Sequence, residues 1–68
     1  MQIKVFIDKE NKKEKIELNE NSSVKDLLKK LEINPVTVIV SRNDEIILES
    51  EKLNEKDEIT ILSVISGG

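Results

Sequence analysis

The sequence predicts an α+β domain, one helix packed on one face of a mixed four- to five-stranded sheet, in the order β-β-α-β-β. Three observations predict it. Apolar and polar residues alternate in QIKVFI (2–7) and KIEL (15–18), the period of strands with one buried side. The period then lengthens to that of a helix after Ser23. It returns to strand chemistry in VTVIV (36–40) and EITILSVI (58–65), both rich in β-branched residues.

Taken in order, Ile3, Val5 and Ile7 share one face of the first strand, and Ile16 and Leu18 one face of the second. The polar residues 8–13 between them predict a hairpin with a long charged tip, and the lysines of KENKKEK (9–15) read as a solvated loop because glutamates interrupt them. Ser23 offers an N-cap hydroxyl with Asp26 three residues on, a variant of the capping box. Val24, Leu27, Leu28 and Leu31 then fall on one helical face. Asn34-Pro35 is expected to end the helix, since proline disfavours α geometry in the residue before it. VTVIV has no room for a helix and predicts a largely buried strand; the turn residues 42–45 follow, then a short strand over 46–48. In ESEKLNEKDE (49–58) only Leu53 is apolar, so it is expected to plug the core. The final strand is apolar on both faces, as a strand in the middle of a sheet would be.

Composition narrows the functions available. Sixty-eight residues make one domain, with residues 1–65 as the folded unit and 66–68 as a flexible Ser-Gly-Gly tail. There is no cysteine, hence neither disulfide nor thiolate metal site, and no histidine, the usual general base and zinc ligand. The net charge of −3, the single arginine and the lack of tyrosine and tryptophan argue against a nucleic-acid partner. The opening MQIKVFIDKE reads as neither signal peptide nor membrane span, and a cytoplasmic protein is expected.

The tail carries the chemistry. The only two glycines of the chain, Gly67 and Gly68, come last. Residues 66–68 extend to roughly 10 Å at most, and without Cβ atoms the glycines pass through a channel too narrow for other residues. They present the α-carboxylate on a thin leash. A carboxylate must be activated before it is transferred, and this chain has no phosphate-cradling loop with which to hold ATP itself. Ser66 reads as a small, flexible residue, because no base stands ready to make it a nucleophile.

With VISGG at 64–68, the chain resembles the ubiquitin-like β-grasp fold and, within it, the ThiS/MoaD family of small sulfur carriers, whose thiamin-pathway members typically end in V-I-A-G-G. LNEKDEI (53–59) is similar to the family's L-x-D-G-D-x-V/I approach to the last strand, with Lys56 in place of the usual glycine; Asn43-Asp44 likewise stands for a common Asn-Gly turn. The resemblance covers the whole chain. It implies a non-enzymatic carrier without a cofactor of its own. A ubiquitin-activating-like enzyme binds ATP and adenylates Gly68, and a sulfur donor of cysteine desulfurase or rhodanese type converts it to a thiocarboxylate. A downstream synthase then consumes the sulfur for thiamin thiazole, for molybdopterin or tungstopterin, or for tRNA thiolation. The alternative is a protein modifier, in which a lysine amine attacks the same activated Gly68. Alternation places Phe6, Leu62 and Val64 on the sheet face away from the helix, a candidate docking surface beside the tail. The acidic residues Glu49, Glu51, Glu55 and Asp57 read as a solvated loop.

Overall fold

The alternation of the first segment appears directly in strand β1 (Gln2–Ile7), where Ile3, Val5 and Ile7 are buried while Gln2 and Lys4 face outward. A computed structural model describes residues 1–64. β2 (Lys12–Glu17) pairs antiparallel with β1, Ile16 opposite Ile3 and Lys12 opposite Ile7. The hairpin tip is therefore shorter than the polar run suggests, and Lys12 and Lys13 are strand residues. Asp8–Glu10 forms a 3₁₀ turn, and Asn11 enters the left-handed region at φ 47°, its N–H donating to the Asp8 carbonyl at 3.0 Å. Asparagine tolerates that conformation better than most residues, so the chain reverses early and pairing starts sooner.

Helix α1 (Val24–Lys30) buries Val24, Leu27 and Leu28. Its capping box is complete: the Asp26 N–H donates to Ser23 Oγ (3.4 Å), and the Ser23 N–H donates to Asp26 Oδ2 (2.9 Å). The two preceding N–H groups, of Val24 and Lys25, donate to the carbonyls of Glu51 and Glu49. The exposed end of the helix is thus satisfied by a segment far along the chain. The helix stops before Asn34-Pro35. Glu32 adopts φ 59°, with Glu32 N–H to Lys29 O at 3.1 Å and Ile33 N–H to Leu28 O at 2.9 Å, the paired bonds of a Schellman ending. The reason is packing: this reversal turns Ile33 back against the core.

Proline then opens the next element. Pro35–Thr37 is a 3₁₀ turn, with Asn34 Oδ1 accepting from the Val36 N–H (3.0 Å) and Thr37 Oγ1 donating to the Asn34 carbonyl (2.7 Å). These local bonds outcompete the ladder for Val36 and Thr37, so β3 runs over Val38–Arg42, two residues later than VTVIV predicts. It is also less buried than expected, Val40 alone being fully covered, because its other face is open. Asn43 and Asp44, at φ 51° and 71°, form a two-residue hairpin turn with both central residues left-handed, matching the twist of the flanking strands. β4 is Glu45–Ile47, and Leu48 lies beyond it, exposed.

The last strand, β5 (Glu58–Ser63), is central: the sheet order is β2-β1-β5-β3-β4. β5 runs parallel to β1, with Val5 beside Ile59 and Ile7 beside Ile61, and antiparallel to β3, with Val40 beside Ile61. The core lies between the inner sheet face and α1 and includes Ile3, Val5, Ile59, Ile61, Leu27 and Leu28. Leu53 plugs it as expected, held by its N–H to the Ser22 carbonyl at 2.8 Å.

Two outcomes follow from the cap. Ser23→Ala should cost about 1 kcal/mol in urea unfolding. The Asp26 carboxyl is held below the ordinary carboxylate range, first by the Ser23 backbone N–H and further by the Ser23 hydroxyl and by Lys29 and Lys25, against an opposing effect of desolvation that exceeds the hydroxyl's. A depressed folded-state pKa stabilises above the unfolded value, about 4, and that contribution is lost as pH falls through the folded value. The stability gap between wild type and Asp26→Asn should therefore be present at neutral pH and close as acid is added below about pH 4. A gap constant across that range would show that the charge has no part in the cap.

Candidate functional site

Gly68, Gly67 and Ser66 lie outside the described residues, and so does Ile65. The site is therefore built from the place where the chain leaves the sheet. β5 ends at Ser63, opposite Val38, and the Val64 N–H donates to the Thr37 carbonyl at 3.1 Å, one step beyond the ladder. This bond ties the root of the tail to the Pro35–Thr37 turn, itself held by the Asn34 side chain and the Thr37 hydroxyl. The exit is fixed from both sides, by the central strand and by a cross-braced turn.

The outer sheet face follows from the pleat. With Ile59 and Ile61 buried, Thr60 and Leu62 must face away from the helix, and Leu62 is 37% exposed. Val64, past the strand end, is 50% exposed. Phe6 is on the same face but half-buried, and it pairs with Thr60, not Leu62. Phe6 and Leu62 therefore stand on neighbouring strands of this face, offset by two residues. Leu62 and Val64 sit near the root, and the level of Phe6 is two residues back from Leu62 and four from Val64, about 7 and 13 Å at strand spacing. Beside Phe6 lies an open depression of about 430 Å³ whose rim includes Lys4, Lys13, Lys15 and Glu58. That half of the face is charged, its three lysines standing with Glu14 and Glu58, and the half over β3 carries the apolar Ile39.

Two further apolar residues of this surface are not among the docking residues expected from the sequence. Ile39 pairs with Leu62 across the outer face, and Val36 stands on the turn at the root, 74% exposed. Strict alternation from Val38 and Val40 would have found Ile39, but VTVIV reads as a strand buried on both sides. Val36 is hidden by its neighbours, since only the Asn34 cap reveals that it belongs to a turn.

The acidic stretch before β5 has a structural use. The Arg42 guanidinium donates to the Lys52 carbonyl at 2.9 Å, to Glu51 at 3.2 Å and to Asp57 at 3.5 Å, while Asp57 also accepts from the Asn54 N–H at 2.8 Å. The Gln2 N–H donates to Glu55 Oε2 at 3.1 Å. Three of the four acidic residues thus pin the 51–57 segment onto β3 and β1, and only Glu49 fits the solvated reading by its side chain. Among the described residues no group of acidic side chains is placed to hold a metal ion, and no helix is long and apolar enough to cross a membrane.

Comparison with known proteins agrees with this geometry. The model of the ThiS family matches residues 3–68, and the chain belongs to that family. The sulfur carrier protein TtuB of Thermus thermophilus is 32% identical over 56 residues, covering 82% of this chain and 86% of the relative. Among solved structures, SAMP1 from Haloferax volcanii superposes with a TM-score of 0.77 at 17% identity, with all of both chains covered. A ubiquitin of Caldiarchaeum subterraneum gives 0.78 at 17% identity, covering all of this chain and 98% of the other. These two likenesses establish the ubiquitin-like β-grasp fold.

The assignment of faces is open to a direct check. Leu62→Glu should change unfolding stability by no more than about 0.5 kcal/mol, as an outward-facing position allows. Leu53→Ala should cost about 2–5 kcal/mol, because it empties a buried site. A large loss from Leu62→Glu would place it in the core and shift the register of β5 by one residue.

Proposed function

We propose that this chain is a cytoplasmic sulfur carrier that works through the carboxylate of Gly68. What supports the reading above all is membership of the ThiS family together with the position of the tail root, on the central strand of the sheet and braced by the Thr37 carbonyl. A domain so built presents residues 65–68 from a fixed point, and its own surface has no part in the chemistry.

The reaction runs on partners. A carboxylate oxygen of Gly68 attacks the α-phosphate of ATP bound to a ubiquitin-activating-like enzyme, giving an acyl-adenylate and releasing pyrophosphate. The terminal sulfur of a persulfide on a cysteine desulfurase or rhodanese-type donor then attacks the acyl carbon and expels AMP. A second thiol attacks the donor's own sulfur in the resulting acyl disulfide, leaving a disulfide behind and releasing the carrier. The product is a terminal thiocarboxylate. Its thiol is acidic enough to be ionised near neutral pH, so it is a ready sulfur nucleophile for a downstream synthase. VISGG at 64–68 resembles the thiamin-pathway carriers and favours delivery to thiazole formation or a closely related cofactor synthesis. Gly67 and Ser66 serve passage, because a glycine adds no Cβ to the narrowest part of the channel.

Incubated with its activating enzyme, ATP and a sulfur source, the protein should gain the mass of one oxygen-for-sulfur exchange, located at Gly68. Gly67→Val should block the exchange, since a β-branched side chain jams the channel. Removing Gly68 should abolish ATP–pyrophosphate exchange and leave thermal unfolding unchanged. An unchanged mass together with lysine-linked adducts on other proteins would replace the carrier with a modifier. A protein lacking Gly68 that still supports exchange would end both readings.

A further inference from the structure

We propose that Val36, on the Pro35–Thr37 turn, is the apolar anchor by which the adenylating enzyme seats this chain. The inference rests on the carrier reading and concerns where the enzyme must touch the folded domain.

The argument begins with reach. Four residues follow Val64, and four extended residues span at most about 14 Å. An enzyme that takes the Gly68 carboxylate into a nucleotide site must bring its surface within that distance of Val64. Whatever rings the tail root is then covered in the complex. The Val64 N–H bond to Thr37 puts the Pro35–Thr37 turn in that ring. Val36 is the most exposed large apolar side chain among the described residues, at 74%.

Its backbone is already ordered. The Val36 N–H is held by Asn34 Oδ1, proline fixes the residue before it, and Thr37 is tied to Asn34 twice, through its N–H and its hydroxyl. A β-branched side chain on such a turn has few rotamers to lose on burial. A rigid apolar group at the centre of a forced contact is the setting in which few residues dominate binding.

Leu62 and Val64 stand as near the root but are less exposed, at 37% and 50%, and Leu48 lies past the end of β4 on the far side of β3. Ile46 is 72% exposed but pairs with Ser41, which stands beside Thr60. That is about 13 Å back along the strand and about 10 Å across two strand spacings, beyond the tail's reach. Phe6, also level with Thr60, is near the limit and half-buried.

ATP–pyrophosphate exchange by the adenylating enzyme of the same cell, measured against carrier concentration, tests this. Val36→Asp should raise the half-saturating concentration about tenfold or more, with the saturated rate and the melting temperature unchanged. Val36→Leu should stay close to wild type. Ile46→Asp, the same charge change at an equally exposed site, should leave the half-saturating concentration unaltered. If Val36→Asp behaves as Ile46→Asp does, the anchor is elsewhere and the carrier reading stands. If the wild-type protein supports no exchange, the carrier reading fails and this inference falls with it.

Discussion

Without β5 the sheet separates into two hairpins, because β1–β2 and β3–β4 share no ladder with each other. The last strand supplies both joints, a parallel one to β1 and an antiparallel one to β3. It also supplies Ile59 and Ile61, which close the core against α1. Long-range pairing of this kind forms only when distant parts of the chain meet, which costs loop-closure entropy before the contacts repay it. The same strand leads into the tail. Whatever pulls on residues beyond Val64 therefore pulls on the best-anchored element of the protein.

The two faces of β5 have separate tasks. The inner face is purely structural, and its neighbours are satisfied by exchange between distant segments: the helix start is capped by carbonyls of Glu49 and Glu51, and Leu53 hangs from Ser22. The outer face has no such cover. Its lysines gather over β1 and β2 and its apolar groups over β5 and β3, so a partner docking there, as proposed, would meet charge on one side and apolar contact on the other. Charge of this kind guides encounter and orientation more than it adds affinity. The apolar side, nearest the tail, is where burial would hold the complex.

Much of this was legible in the residues themselves. Alternation located β1, the Ser23 and Asp26 pair located the helix start, and the lone Leu53 in a polar stretch located the plug. Elements went astray where a local hydrogen bond overrode periodicity. The Asn34 side chain diverted Val36 from a strand into a turn, Asn11 shortened the first hairpin, and Glu32 ended α1 early by accepting a left-handed backbone. Lys56 makes the same point in reverse. It stands where the family has glycine and still adopts φ 68°, its N–H donating to the Gln2 carbonyl at 2.9 Å. Tertiary anchoring there outweighs the local cost of a Cβ in that region, of order 1–2 kcal/mol. At the site, the role proposed for Gly68 rests on chemistry and position in the sequence, whereas the one proposed for Val36 emerges only when Val64 is located in space.

The two borders of the sheet differ, and the difference bears on solubility. β2 is a full-length border strand that carries Lys12, Lys13 and Lys15, and charge along a free edge discourages a second sheet from adding to it. β4 carries no lysine, but it has only three residues and offers too short a template to recruit another strand. One border is guarded by repulsion and the other by brevity. A carrier that works as proposed has to remain a dispersed, separate particle between encounters, and edges of this kind oppose edge-to-edge stacking while its outer surface stays open.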